Sequence, residues 1–114
     1  MNSNAKGKKG ELEIAHMLTD SGFPARRGKQ YKGDEESPDV ICPSLEDVHI
    51  ECTRDERLNI HTKMDKAKED SGGKIPVVFH RKNKTDWLVT MAFDEWVGRE
   101  RIIRLQDQML SEAK

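Results

Sequence analysis

The chain has 114 residues, of which 34% are apolar and 36% charged, and a net charge of −1. That length suits one domain around a single modest core, and an aromatic content of only 5% argues against an exposed base-stacking platform. Two cysteines, Cys42 and Cys52, are too few for a disulfide framework, and neither a leader nor an apolar run near the ~20 residues of a membrane span is visible, so a cytoplasmic protein is expected.

From about Ala5 to Ser21, Leu12, Ile14, Ala15 and Leu18 recur at helical spacing, and Gly22 stops the helix. A short strand is expected at Phe23–Arg27, followed by the polar, glycine-containing loop GKQYKGDEES. Pro38 opens SPDVIC, with a second strand expected over Asp39–Cys42. The segment EDVHIECT alternates strictly and predicts a third strand. Asn59–Ser71 reads as a helix with Ile60, Met64 and Ala67 on one face, closed by Gly72 and Gly73. IPVVFH and DWLVTM read as strands joined by the basic loop RKNKTD, and a last helix runs from Phe93 through Leu110. Residues 1–5 and 111–114 are expected to be flexible. The order gives one α/β domain with a mixed central sheet of four to five strands flanked by helices.

Charge is distributed unevenly. Residues 1–34 carry seven Lys/Arg against four Asp/Glu, and residues 57–86 carry eight against four. Between them, residues 35–56 carry one arginine against eight acids. Two basic segments flanking an acidic one suit a protein that touches a phosphate backbone and concentrates carboxylates around a divalent cation.

Three acids stand out by position. At about 100° per residue, Leu12, Ile14, Ala15 and Leu18 form an arc centred near Glu11, with Glu13 on the opposite, solvent face. A carboxylate in an apolar stripe needs a partner: a lysine or arginine, or a metal ion or its water shell. Asp39 starts the second strand. On the third, Val48, Ile50 and Cys52 share one face while His49, Glu51 and Thr53 share the other. Carboxylates converging from a helix and two adjacent strands make a hard-oxygen site suited to Mg²⁺ or Mn²⁺. The two cysteines and His49, His61 and His80 lack zinc-ligand spacing.

The motifs SPDVI and HIEC, preceded by KKGELEIAHMLTDSGF, together resemble the PD-(D/E)xK nuclease superfamily. The similarity is to small archaeal-type Holliday junction resolvases and related phage endonucleases. It extends through RLNI, KAKEDSGGKIPVVFHRKN and DWLVTM, and so covers roughly residues 7–93. The resemblance implies a restriction-endonuclease-like core and metal ligation by Asp39, Glu51 and the backbone carbonyl of Cys52. It also implies that Glu11 holds a metal-bound water or a second ion, that the substrate is DNA, and that the protein is a symmetric dimer.

One position departs from the family pattern. Thr53 stands where the family carries a lysine; its hydroxyl can bond a water but brings no charge. Strand parity aims Arg54 at the other face. The resemblance favours Lys66 as the replacement, with Lys63 one turn earlier and closer to the apolar face. Lys8 and Lys9 in GKKG lie at the expected helix start, and with Arg26, Arg27, Lys29, Lys63, Arg81 and Lys82 they are the candidate DNA contacts. The expected function is a metal-dependent DNA endonuclease acting on duplex or branched DNA. A DNA-binding module of the same fold with impaired catalysis, or a protein-interaction subunit, are the alternatives.

Overall fold

A computed structural model describes residues 3–28 and 38–113. Helix α1 spans Ser3–Asp20, starting two residues earlier than the periodicity implies. The GKKG stretch therefore lies inside the helix, and its amides are spent on the helical ladder. Gly22, at φ 98°, ends α1: its amide donates to the Thr19 carbonyl at 3.1 Å and the Phe23 amide reaches back to Leu18 at 2.8 Å. A left-handed residue flanked by this pair of bonds is a Schellman stop, which glycine enters without a Cβ penalty. The Thr19 hydroxyl then accepts the Ala25 amide at 3.0 Å and aims the chain into the sheet.

The sheet has five strands in sequence order: β1 (Arg26–Arg27), β2 (Val40–Ile41), β3 (Val48–Thr53), β4 (Ile75–His80) and β5 (Leu88–Thr90). β3 and β4 run parallel and every other neighbouring pair is antiparallel. The parallel step requires a crossover, supplied by α2 (Ile60–Asp70), whose first turn is capped by the Asn59 side chain accepting the Thr62 amide. A turn of 3₁₀ helix at Pro43–Leu45 joins β2 to β3, and α3 (Phe93–Glu112) follows β5. The flanking ends expected to be flexible are thus partly helical. No helix of the described residues is long and apolar enough to cross a membrane.

Strand parity organises the interior. Ile50 and Cys52 turn toward α1, where they meet Ile14 and Ala15 together with Val40 and Cys42 from β2 and the residue after it. His49 and Glu51 alternate onto the opposite face and are buried as well. On that face α2 packs against β4 and β3 with Ala67 wholly buried. β3 is therefore sandwiched between helices, and its polar face is a closed one.

Candidate functional site

Asp39 sits at the start of β2 and Glu51 in the middle of β3, and both are buried. The ladder holds them together: the Asp39 amide donates to the Ile50 carbonyl at 2.9 Å, and the Cys52 amide donates to Asp39 Oδ2 at 2.9 Å. In a strand, the amide and carbonyl of one residue point to the same side, so the Cys52 carbonyl also lies on the Asp39 edge. The two carboxyls share a hydrogen bond. Burial, then the hydrogen bond and charge of Glu51, raise Asp39 to about 7. Burial also pushes Glu51 up, but bonds from His49 and Asp39 and the nearby Lys63 charge outweigh it, and Glu51 ends below the usual carboxylate range. Below about pH 7 the pair therefore holds one proton and one full charge, and it loses the proton as pH rises through that value.

His49 completes this face. Its Nε2 lies 2.9 Å from Glu51 Oε1, and the imidazole is buried, so it fixes the carboxylate's orientation. Its alternation with Glu51 placed it on this face in the sequence, but no spacing signal gave it that task. Burial, followed by the charges of Asp39, Glu11 and Glu51, pushes the Cys52 thiol well up. Cys52 is an inert core residue that contributes through its backbone.

Of the two candidate lysines, the one on the earlier turn stands beside the carboxyls. Lys63 is half-buried, and its charge acts on both Asp39 and Glu51. Lys66, which the family resemblance favoured, is exposed. From the buried Ala67, one step back of four residues returns to nearly the same helix face, whereas Lys66 lies about 100° away. Thr53 shares the Glu51 parity, but its Oγ1 accepts the Asp55 amide at 3.3 Å and shapes the turn after β3.

Glu11 is buried and bonded to Arg27, Nε to Oε2 at 2.6 Å. Of the two partners its position left open, a cation from β1 is the one present. Glu13 corrects a second expectation. Instead of facing solvent, it accepts from Trp87 Nε1 at 2.9 Å, pairs with Arg81 Nη1 at 2.9 Å and lies 3.8 Å from Arg54 Nη1. Arg54 keeps the parity expected of it, on the α1 side, and also donates to Asn83 Oδ1 at 3.0 Å. Arg81 thus braces α1 and stands 5.7 Å over the Trp87 ring. Lys8, Lys9, Arg26 and Lys82 are exposed cations, and Lys29 lies outside the described residues.

The donor set fits a small hard cation in a restricted way. Among the described residues no group of three or more His, Cys, Asp or Glu is arranged to hold a metal ion. What is available is two carboxylates close enough to share a proton, plus one backbone carbonyl. Mg²⁺ is commonly held by one or two carboxylates with waters and substrate oxygens completing its shell. A cavity of about 690 Å³ lies away from these groups, between α2 and the β5–α3 junction, lined in part by Ile60, Met64, Pro76 and Met91. Compared with models of protein families, with curated proteins and with solved structures, the chain matches none.

Proposed function

We propose that this protein is a divalent-metal-dependent DNA endonuclease with a restriction-endonuclease-like core, hydrolysing phosphodiester bonds in duplex or branched DNA. The observation that carries this reading is the buried Asp39–Glu51 pair, sharing a hydrogen bond across adjacent strands with Lys63 beside it. Two buried carboxylates in contact are costly unless a proton or a cation stands between them. Asp39, Glu51 and the Cys52 carbonyl would hold Mg²⁺ or Mn²⁺. Such an ion, when bound, polarises a phosphoryl oxygen and lowers the pKa of a coordinated water.

The chain's own groups supply the rest. His49 holds Glu51 in one orientation by the 2.9 Å contact. Lys63 brings the positive charge that Thr53 cannot, on a stem long enough to reach a phosphate beside the carboxylates. Glu11, engaged by Arg27, ties α1 to β1 and leaves cation binding to the strand carboxylates. Lys8, Lys9, Arg26 and Lys82, all exposed, are free to neutralise backbone phosphates, which positions DNA without reading its sequence.

The test is incubation of the purified protein with four-way, flap and linear DNA, with and without Mn²⁺ or Mg²⁺. Asp39→Asn and Glu51→Gln should each lower cleavage by about a hundredfold or more while circular dichroism stays unchanged. Lys63→Ala should lower it comparably, and Lys66→Ala should stay within about twofold. Cleavage undiminished in both carboxylate variants would sink the site. Salt-sensitive binding without cleavage under either metal would favour the DNA-binding alternative, which the Glu11–Arg27 pair and the threonine at position 53 also suit.

A further inference from the structure

The parallel strands β3 and β4 end side by side, with Thr53 in register with His80. In open α/β sheets, ligands settle outside the carboxyl ends of such strands. A cavity of about 540 Å³ opens there, between the end of β3, the turn that follows it and the N-terminal turns of α1. That volume is in the range of small-ligand sites. Asp39 and Glu51 do not line it, so it is a separate place from the carboxylate pair.

Its wall is rich in cations. Lys6 from α1, Arg54 just after β3 and Arg57 from the turn converge on it, with the Thr53 hydroxyl beside them. Arg57 is exposed and has no side-chain partner among the described residues. Lys6 pairs with Glu56 at 3.4 Å, a solvated contact of the weakly held kind. Arg54 is the unusual member. It is 8% exposed, and its Nε is buried without a hydrogen-bond partner among the described residues. Glu13 lies 3.8 Å from it, but that carboxylate is held at 2.9 Å by Arg81. The firm bond of Arg54 is to a neutral amide, Asn83 Oδ1 at 3.0 Å. A buried guanidinium with only a share of one carboxylate is undercompensated, and an incoming anion relieves it.

Two acids also line the cavity, and both are engaged. Asp55 accepts the Arg57 amide at 2.9 Å within its own turn, and Glu56 accepts the Asn83 amide at 2.6 Å.

Gly7 is an independent indication. It sits inside α1, where glycine costs helix stability, and no packing demands it: a Cβ there would meet no neighbouring group within 4 Å. Gly10, one turn on, differs, because a Cβ there would press on Arg54 Cγ at 3.0 Å. Gly7 leaves bare backbone on the cavity wall, which lets a ligand approach the main chain closely. A terminal phosphate carries close to two charges and three free oxygens, one oxygen for each cation. A phosphodiester within a strand offers one charge and two free oxygens.

We propose that this cavity binds a terminal phosphate group, on a free nucleotide or at the phosphorylated end of a nucleic-acid strand. The site stands on these residues alone and does not depend on the nuclease reading.

Calorimetric titration in EDTA at constant ionic strength tests it. The probes are inorganic phosphate, thymidine 5′-monophosphate, and a thymidine dinucleotide with and without a 5′-phosphate. The phosphorylated dinucleotide should bind about tenfold or more tightly than its hydroxyl-ended form, and inorganic phosphate should compete with it. A monophosphate that binds as well as the dinucleotide makes the free nucleotide sufficient; tighter binding of the dinucleotide assigns the site to a strand end. Lys6→Ala and Arg57→Ala should each weaken binding about tenfold with circular dichroism unchanged. Gly7→Ala should raise the urea midpoint, as helix propensity requires, and still weaken binding; a glycine with a structural role alone would give only the first effect. Equal binding of the phosphorylated and hydroxyl-ended dinucleotides overturns the proposal. So does the absence of binding by every probe, or an affinity that all three substitutions leave intact.

Discussion

At the scale of single residues, Asp39 governs the site, and its proton affinity can be read as stability. Burial and Glu51 raise its pKa from 3.8 to about 7 in the folded chain. Above 3.8 the unfolded chain has lost this proton while the folded chain keeps it. Folding therefore binds a proton in that interval, and its stability contribution is complete below 3.8 and lost as pH rises through about 7. The lowered pKa of Glu51 acts in a different window, below its usual value of 4.5, where it contributes stability that is lost on acidification. Each tenfold in proton affinity is about 1.4 kcal/mol, which puts a ceiling of about 4 kcal/mol on the Asp39 effect; relaxation of the pair should leave about 2 kcal/mol. Asp39→Asn, which cannot ionise, should thus gain on the wild type by about this amount between pH 4 and pH 8 when both are unfolded by urea in EDTA. A difference that does not change with pH would show that Asp39 ionises normally. His49 and Lys63 belong to the same residue-level logic. The imidazole and the ammonium both favour the charged form of Glu51, so the pair is asymmetric: Glu51 carries the charge and Asp39 the proton.

At the scale of elements, the two flanks of α1 are tied down by different means, and each tie has its own consequence. Glu13 joins the helix to β3 and to the β4–β5 connection through Arg54, Arg81 and Trp87. Removing it leaves Arg54, which is buried, without its carboxylate. Since Glu13 itself is partly solvated, Glu13→Ala should cost about 2 kcal/mol, less than a fully buried pair would, measured as a lower urea midpoint with the slope unchanged. On the other flank, Gly28 lets β1 approach β2: its amide donates to the Asp39 carbonyl at 2.8 Å, and a Cβ there would lie 2.1 Å from the Pro38 carbonyl oxygen. Gly28→Ala should cost about 2 kcal/mol or more and, by displacing Asp39, lower any metal-dependent activity as well; an alanine variant as stable as the wild type would mean the strands separate freely. Much of this level was legible from the chain, because alternation and helical period name an element's type without knowing its neighbours. Boundaries were less so. Strands at Phe23–Arg27 and Asp39–Cys42 shrink to two paired residues each, the first because Phe23 and Ala25 spend their amides closing α1. The position of Lys63 was readable in helical phase, which the family pattern overrode. Glu13 was not readable: its partners come from positions 54, 81 and 87, and only tertiary packing brings them to one corner.

For the whole molecule, the central point is that stability is concentrated in one part. The sheet with α1 and α2 has its own core, in which Val40, Ile50, Val78 and Ala67 are almost completely inaccessible. Every residue of α3 from Arg101 through Ala113 is exposed. An exposed helix end is held by little besides its own backbone bonds, and it opens at low cost without the rest of the fold. A chain ending at Glu100 lacks none of the core, so it should melt cooperatively at a temperature within about 3 °C of the full chain's. Calorimetry of both chains measures this. A shortened chain that fails to fold would instead make α3 part of the folding unit, contrary to the exposure of its last three turns.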